Sequence, residues 1–259
     1  MARTQSHRNT KANSASRPSK RQQRRAAIEG QSFQSFEPIV RAVFKVKHLE
    51  AKTENQQRYL SAIDSFELIF ATGPAGTGKT FLAAAKAAEA LEKKEIDQIV
   101  ITRPAVEAGE NLGFLPGELE EKFDPYLAPF KDALEQRMGR SKVEYLIKTG
   151  VIVASPLAYM RGKTFRRSFV ILDEAQNTTP TQMKLFLTRI GEDCVTVVNG
   201  DVAQKDIRGE SGLADAVRRL SWIPSVKTVE FTRADIVRSG LVQQIVEAYE
   251  EPVVGADAS

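Results

Sequence analysis

The sequence predicts an α/β protein whose mostly parallel, doubly wound sheet carries helices on both faces. Two observations lead there. Short apolar, β-branched runs alternate with helix-forming stretches from about residue 53 onward, as a parallel sheet with crossover helices requires. The apolar run 68–72 feeds a glycine-rich turn that reads G-x-x-x-x-G-K-[ST] from Gly73 to Thr80, and residues 81–88 follow with strong helix propensity. Strand, loop and helix thus stand in the order that a P-loop NTPase sheet, expected here to be RecA-like, needs.

The chemistry of that turn follows from its residue types. A triphosphate must be wrapped closely, and a Cβ hinders the approach, so Gly73, Gly76 and Gly78 leave it out and permit positive φ. Backbone N–H groups then converge on the phosphates, aided by the positive end of the following helix. Lys79 supplies a point charge for the β- and γ-phosphates, and the Thr80 hydroxyl is placed to ligate Mg²⁺. Gly73, Pro74, Ala75, Gly76, Thr77, Gly78, Lys79 and Thr80 together are the expected cradle for ATP.

A second element stands downstream. Residues 169–172 form a buried-strand pattern that ends in Asp173 and Glu174. Two adjacent carboxylates at a strand end need a cation or a solvated cleft. Asp173 suits the water-mediated second shell of Mg²⁺, and Glu174 suits polarising an attacking water. An acid-rich helix start, supported by Asn177–Pro180 in sequence, is compatible with the same pattern.

Taken in order, residues 1–35 are rich in Arg, Lys, Ser and Gln and poor in large apolar groups, which predicts a disordered basic arm. The chain carries a formal +4, yet residues 1–28 alone carry +8 with no acid, which leaves −4 for the rest. Such an arm serves either nucleic-acid binding or simple solubility. An ATPase domain is expected over residues 36–250 and a flexible tail over 251–259. Residues 38–47 alternate as a first edge strand would. Thr53 and Gln56 have the spacing of a capping box for a helix, and the Gln56 amide also has the donor and acceptor that an adenine edge needs. Residues 98–104 read as a strand that Pro104 ends, with Arg103 facing the cleft at the P-loop end of the sheet. The stretch 105–150, rich in Gly, Pro and aromatics, reads as a surface for a polymer or neighbouring subunit, or as a packed lid, with helices over 132–138 and 142–148. Strands are expected over 150–156, 195–201 and 226–232, and helices over 181–190, 211–220 and 240–249. Gln204, just past a strand end, is placed either to bridge a γ-phosphate or simply to face solvent. Arg238 reads either as an arginine finger or as an ion-pair partner of Asp235.

Other classes find little support. The lone Cys194 forms no intrachain disulfide, and His7 and His48 stand far apart without cysteine company, against a zinc site. No apolar run reaches the ~20 residues that span a bilayer, and the charged N-terminus lacks a signal-peptide core, so a cytoplasmic protein with no membrane partner is expected.

Residues 69–80, 102–110, 112–117, 160–164, 172–177 and 187–189 together resemble the PhoH family, over roughly residues 53–250. The family is similar to the motor core of superfamily 1 helicases. That resemblance implies Gln56 near adenine, Lys79 and Thr80 on phosphate and Mg²⁺, Asp173 and Glu174 as hydrolytic acids, Gln204 as γ-phosphate sensor and Arg238 as finger. Family members carry an Asp-Val-Val-Arg-His segment; here Asp235-Ile236-Val237-Arg238-Ser239 keeps the arginine and not the histidine. One motor domain implies that a second comes from another subunit, in a homo-oligomer such as a hexameric ring, with Arg238 across the interface. The function expected is Mg²⁺-dependent ATP hydrolysis coupled to binding or unwinding RNA or single-stranded DNA. The alternative is an ATP-dependent regulatory switch that acts on a protein partner without helicase activity. A small-molecule kinase fits less well, because Asp173 and Glu174 position water better than they exclude it.

Overall fold

The structure is a computed structural model and describes residues 49–104, 124–237 and 240, which all belong to the unit formed by residues 44–259. Among them, six apolar runs form one sheet: β1 (Leu68–Thr72), β2 (Gln98–Arg103), β3 (Ile152–Pro156), β4 (Ser168–Leu172), β5 (Val195–Gly200) and β6 (Val226–Glu230). The strand order is β3-β2-β4-β5-β1-β6, and every neighbouring pair is parallel. Phe70 stands opposite Val198 on one side and Thr228 on the other, and Thr102 opposite Leu172 and Ser155.

Because successive side chains alternate, the apolar runs feed two cores. Ile69, Ala71, Ile99, Ile101, Ile171 and Val197 point to one face, where α1 (Glu54–Ser65), α2 (Lys79–Glu92), α3 (Asp124–Met138) and α4 (Arg140–Lys148) pack. Phe70, Val100, Val170, Leu172 and Val198 point to the other, under α5 (Pro180–Leu187) and α6 (Gly212–Leu220). The sheet is thus doubly wound, as the sequence predicts, and parallel at every described pairing. In α2, Ala83, Ala84, Ala85, Ala87 and Ala88 are all fully buried beside Leu82, so the helix meets its neighbours mostly through methyl groups.

One helix differs from expectation. α3 begins at Asp124, well before residue 132, and carries Pro129 inside it. Pro125 occupies the first turn, where its missing N–H would have had no intrahelical partner. Pro129 removes one bond near the same end. Burial of Leu127, Phe130, Ala133 and Leu134 in the first core offsets that loss. The basic arm 1–35, the expected strand 38–47, Arg238, the expected helix beyond Gly240 and the tail 251–259 lie outside the described residues, as does 105–123. No helix among the described residues is long and apolar enough to cross a membrane.

Beneath the sheet's C-terminal rim, α1 is pinned by a polar contact. Tyr59, fully buried, donates its hydroxyl to Asn199 Oδ1 on β5 at 2.7 Å. Burial, with the Asp173 charge adding to it and the Asn199 contact opposing, pushes the Tyr59 phenol well above its ordinary value, so it stays a donor. Tyr59→Phe is expected to lower stability by about 1–3 kcal/mol, because Asn199 loses its partner while still buried. Adding Asn199→Leu to Tyr59→Phe should recover part of that loss. Urea denaturation of the three proteins checks both the loss and the recovery.

Candidate nucleotide-binding site

A parallel sheet brings all its strand ends to one rim, and the site is assembled there. The P-loop follows β1, Asp173 and Glu174 follow β4, and the turn from Asp201 to Gln204 follows β5. Because β5 lies between β1 and β4, that turn stands between the phosphate loop and the acids. They enclose a cleft of about 300 Å³ lined by Gly76, Gly78, Lys79, Thr80, Asp173, Glu174, Asp201 and Gln204, among others.

The loop is stitched to both flanking strands. Gly73 N donates to Gly200 O at 3.1 Å, and Phe231 N donates to Thr72 O at 2.7 Å. Gly73 has φ 128°, and a Cβ there would lie 2.2 Å from Phe231 O, so only glycine fits between β1 and the end of β6. Pro74 leads into a turn at Ala75 and Gly76. The Lys79 ammonium spends its donors on Gly73 O (2.7 Å), Pro74 O (2.8 Å) and Thr77 Oγ1 (3.1 Å). Burial lowers its pKa, and Asp201, Asp173 and Glu174 oppose that shift. A phosphate chain in the cleft would offer this ammonium full negative charge in place of carbonyl dipoles.

Gln56 sits behind the loop, and its contacts correct the expected capping box. Thr53 Oγ1 accepts from Gln56 N at 3.2 Å, but the glutamine side chain does not return to Thr53. Its Oε1 accepts from Lys52 N at 2.7 Å and its Nε2 donates to Thr77 O at 3.0 Å. Lys52 N takes the amide oxygen that the cap would have used, and the amide nitrogen, donating to the Thr77 carbonyl, braces the P-loop from α1.

The acids divide by environment. Asp173 is buried; Thr80 Oγ1 lies 3.2 Å from its Oδ1, and Arg103 reaches its Oδ2 through Nη2 (2.5 Å) and Nε (3.2 Å). Arg103 therefore turns onto Asp173 from the end of β2, with its guanidinium carbon 5.6 Å from the Phe130 ring centroid. Glu174 is exposed to the cleft and held in the left-handed region, φ 54° and ψ 36°. A non-glycine residue there costs on the order of 1 kcal/mol or more, so the surroundings must fix it. Gln176 does so. Its Nε2 donates to Glu174 Oε2 at 2.7 Å, and its Oε1 accepts from Asp201 N at 3.0 Å. Gly200 makes room for that bridge, since a Cβ there would lie 2.7 Å from Gln176 Oε1. Sequence reasoning had no role for Gln176 or Asp201; their signal was only proximity to the two acids and to the end of β5.

Thr80 hydroxyl and Asp173 carboxylate are hard oxygen donors of the kind a divalent cation such as Mg²⁺ takes. No group of three or more His, Cys, Asp or Glu that could hold a metal occurs among the described residues. A pair of protein oxygens completed by phosphates suits Mg²⁺, which takes one or two carboxylates and keeps several waters.

Beyond β6, Asp235 secures the chain that leads toward residue 238. Its Oδ2 accepts from Asn55 Nδ2 (2.8 Å), Thr232 N (2.8 Å) and Thr232 Oγ1 (3.1 Å), and Val237 N donates to Gly76 O at 3.0 Å. Burial raises the Asp235 pKa, but the bonds from Asn55, Thr232 and Thr53 outweigh it and hold the carboxyl below its ordinary value.

The model of the family described as "PhoH-like protein" matches residues 48–250. The chain is 53% identical over 214 residues to the PhoH-like protein of Mycobacterium tuberculosis (strain ATCC 25618 / H37Rv), covering 81% of this chain and 61% of that protein. It is 51% identical over 209 residues to the PhoH-like protein of Bacillus subtilis (strain 168), covering 80% and 66%. It is 52% identical over 203 residues to Protein PhoH of Escherichia coli (strain K12), covering 77% and 57%. The matched stretch thus spans less than two thirds of each of these three relatives. Among solved structures, the Pif1 helicase from Candida albicans aligns with a TM-score of 0.40 at 16% identity, over 77% of this chain and 43% of that one.

Asp235→Asn is expected to destabilise the protein at neutral pH by about 1–3 kcal/mol, because hydrogen bonds to a charged acceptor are lost. The folded pKa is depressed, so this contribution is present above the ordinary aspartate value and disappears as pH falls through the lower folded value. Thermal melts of parent and variant, compared at neutral pH and in that acid range, should therefore converge on acidification.

Proposed function

The chain belongs to the PhoH family, and from that membership and the cleft we propose that it binds ATP with Mg²⁺ and hydrolyses it, with turnover coupled to RNA or single-stranded DNA. The observation that carries the reading is the convergence of Lys79, Thr80, Asp173, Glu174 and Gln204 on one cleft at the strand ends. Each residue has a task that its surroundings permit. The P-loop from Gly73 to Thr80 and its Lys79 ammonium bind the phosphate chain. Thr80 and Asp173 hold Mg²⁺, whose charge offsets that of the phosphates. Glu174, oriented by Gln176, takes a proton from the attacking water. Gln204 meets the γ-phosphate from the β5 side. Gln56 braces the loop and retains one amide hydrogen for an adenine edge.

The polymer is inferred from residues outside this cleft. The arm over 1–28 carries +8 against −4 elsewhere, and phosphate backbones attract such charge. Arg238 follows the turn that Val237 ties to Gly76, and its assigned role is a finger reaching a neighbouring copy in an oligomeric assembly, a hexameric ring being one such form.

Steady-state ATP hydrolysis with Mg²⁺, with and without single-stranded RNA or DNA, tests the reading, with Lys79→Ala as the blank. Stimulation by either polymer is the expected result. Turnover without stimulation would leave an ATP-dependent switch acting on a protein partner, and no turnover above the blank would refute hydrolysis. Glu174→Gln should lower kcat by about a hundredfold or more while nucleotide binding persists, as expected for loss of a general base. Equilibrium binding of a fluorescent ATP analogue beside the kinetic assay checks that split.

A further inference from the structure

We infer that Arg103 is the resident counter-ion of Asp173 and that a divalent cation competes with it for the carboxylate. The inference rests on the reading of Thr80 and Asp173 as the metal-holding pair.

Three observations carry it. The Asp173 side chain is only 5% exposed, so its charge must be balanced by something close. The guanidinium places both Nε and Nη2 on one oxygen, Oδ2, and leaves Oδ1 to Thr80. That oxygen is therefore already occupied by a cation, with which a metal at the carboxylate would compete. The guanidinium also lies over the Phe130 ring of α3, which gives it a second, apolar contact that survives when the ion pair opens. Arg103 is thus held by both the ring and the carboxylate, and only the second hold competes with a metal. Once released, a planar fork beside Asp173, which lines the cleft, is suited to pair with phosphate oxygens. Metal arrival and arginine engagement of the nucleotide then become successive uses of one carboxylate.

Mn²⁺ binding to the full chain without nucleotide, followed by the electron paramagnetic resonance of the free ion, tests the competition. Arg103→Gln should bind Mn²⁺ about tenfold or more tightly than the parent, because its buried carboxylate gains a counter-ion instead of exchanging one. Asp173→Asn added to Arg103→Gln should abolish the gain. Equal Mn²⁺ affinity in parent and Arg103→Gln overturns the inference while leaving the metal site in place. A gain that survives Asp173→Asn overturns the metal-site reading itself. Should Arg103→Gln fail to fold, the parent decides the matter. Its Arg103 Nε–H resonance, assigned by its loss in Arg103→Lys, should move as Mg²⁺ saturates the protein; a resonance that stays in place overturns the inference.

Discussion

Six strands running the same way is the constraint on which the rest depends. A parallel sheet cannot scatter its loops evenly; every strand of one direction delivers its carboxyl end to the same rim. The phosphate loop, the two acids, the β5 turn, Arg103 and the Asp235 turn are distant in sequence and meet only because β1, β4, β5, β2 and β6 lie side by side. The order also sets who touches whom. With β5 between β1 and β4, the lysine and the acids face each other across the β5 turn rather than in direct contact of their strands.

A rim so rich in polar groups needs anchoring, and the chain supplies it from just below. Gln56 braces the P-loop carbonyl of Thr77, Tyr59 holds Asn199, Gln176 joins Glu174 to Asp201, and Asp235 ties α1 to the end of β6. Each anchor is buried, and each links two elements that the sheet alone would leave independent. Buried polar atoms without partners are costly, so these contacts fix geometry as well as adding stability. The loops are therefore positioned by side chains from neighbouring elements, on top of the stitching given by their own backbone.

Local signals made the fold and much of the cleft legible in the sequence. Strand runs, the glycine pattern and the acid pair are contiguous, and their physics is complete within about ten residues. What escaped was long-range. Gln56 has the spacing of a cap, but its amide answers a carbonyl beyond the next strand. Arg103 points at the rim as expected, yet its partner is an acid seventy residues on. Gln176 looks like one more polar residue after the acids until Asp201 arrives beside it. The first turns of α3 were hidden because Pro125 and Pro129 read as breakers, and only the burial of Leu127 and Phe130 outweighs them.

The alanine face of α2 has a mechanical consequence. A helix seated mostly through five fully buried methyl groups, with Leu82 beside them, has a thin, close-packed contact layer beneath it. Long flexible side chains would let it slide or tilt when the charge at its N-terminus changes; methyl groups let it do neither without separating from its neighbours. Force applied at Lys79 and Thr80 is therefore not absorbed within the helix. It passes to the sheet and to α3, and any movement that starts at that end begins as the displacement of a rigid body.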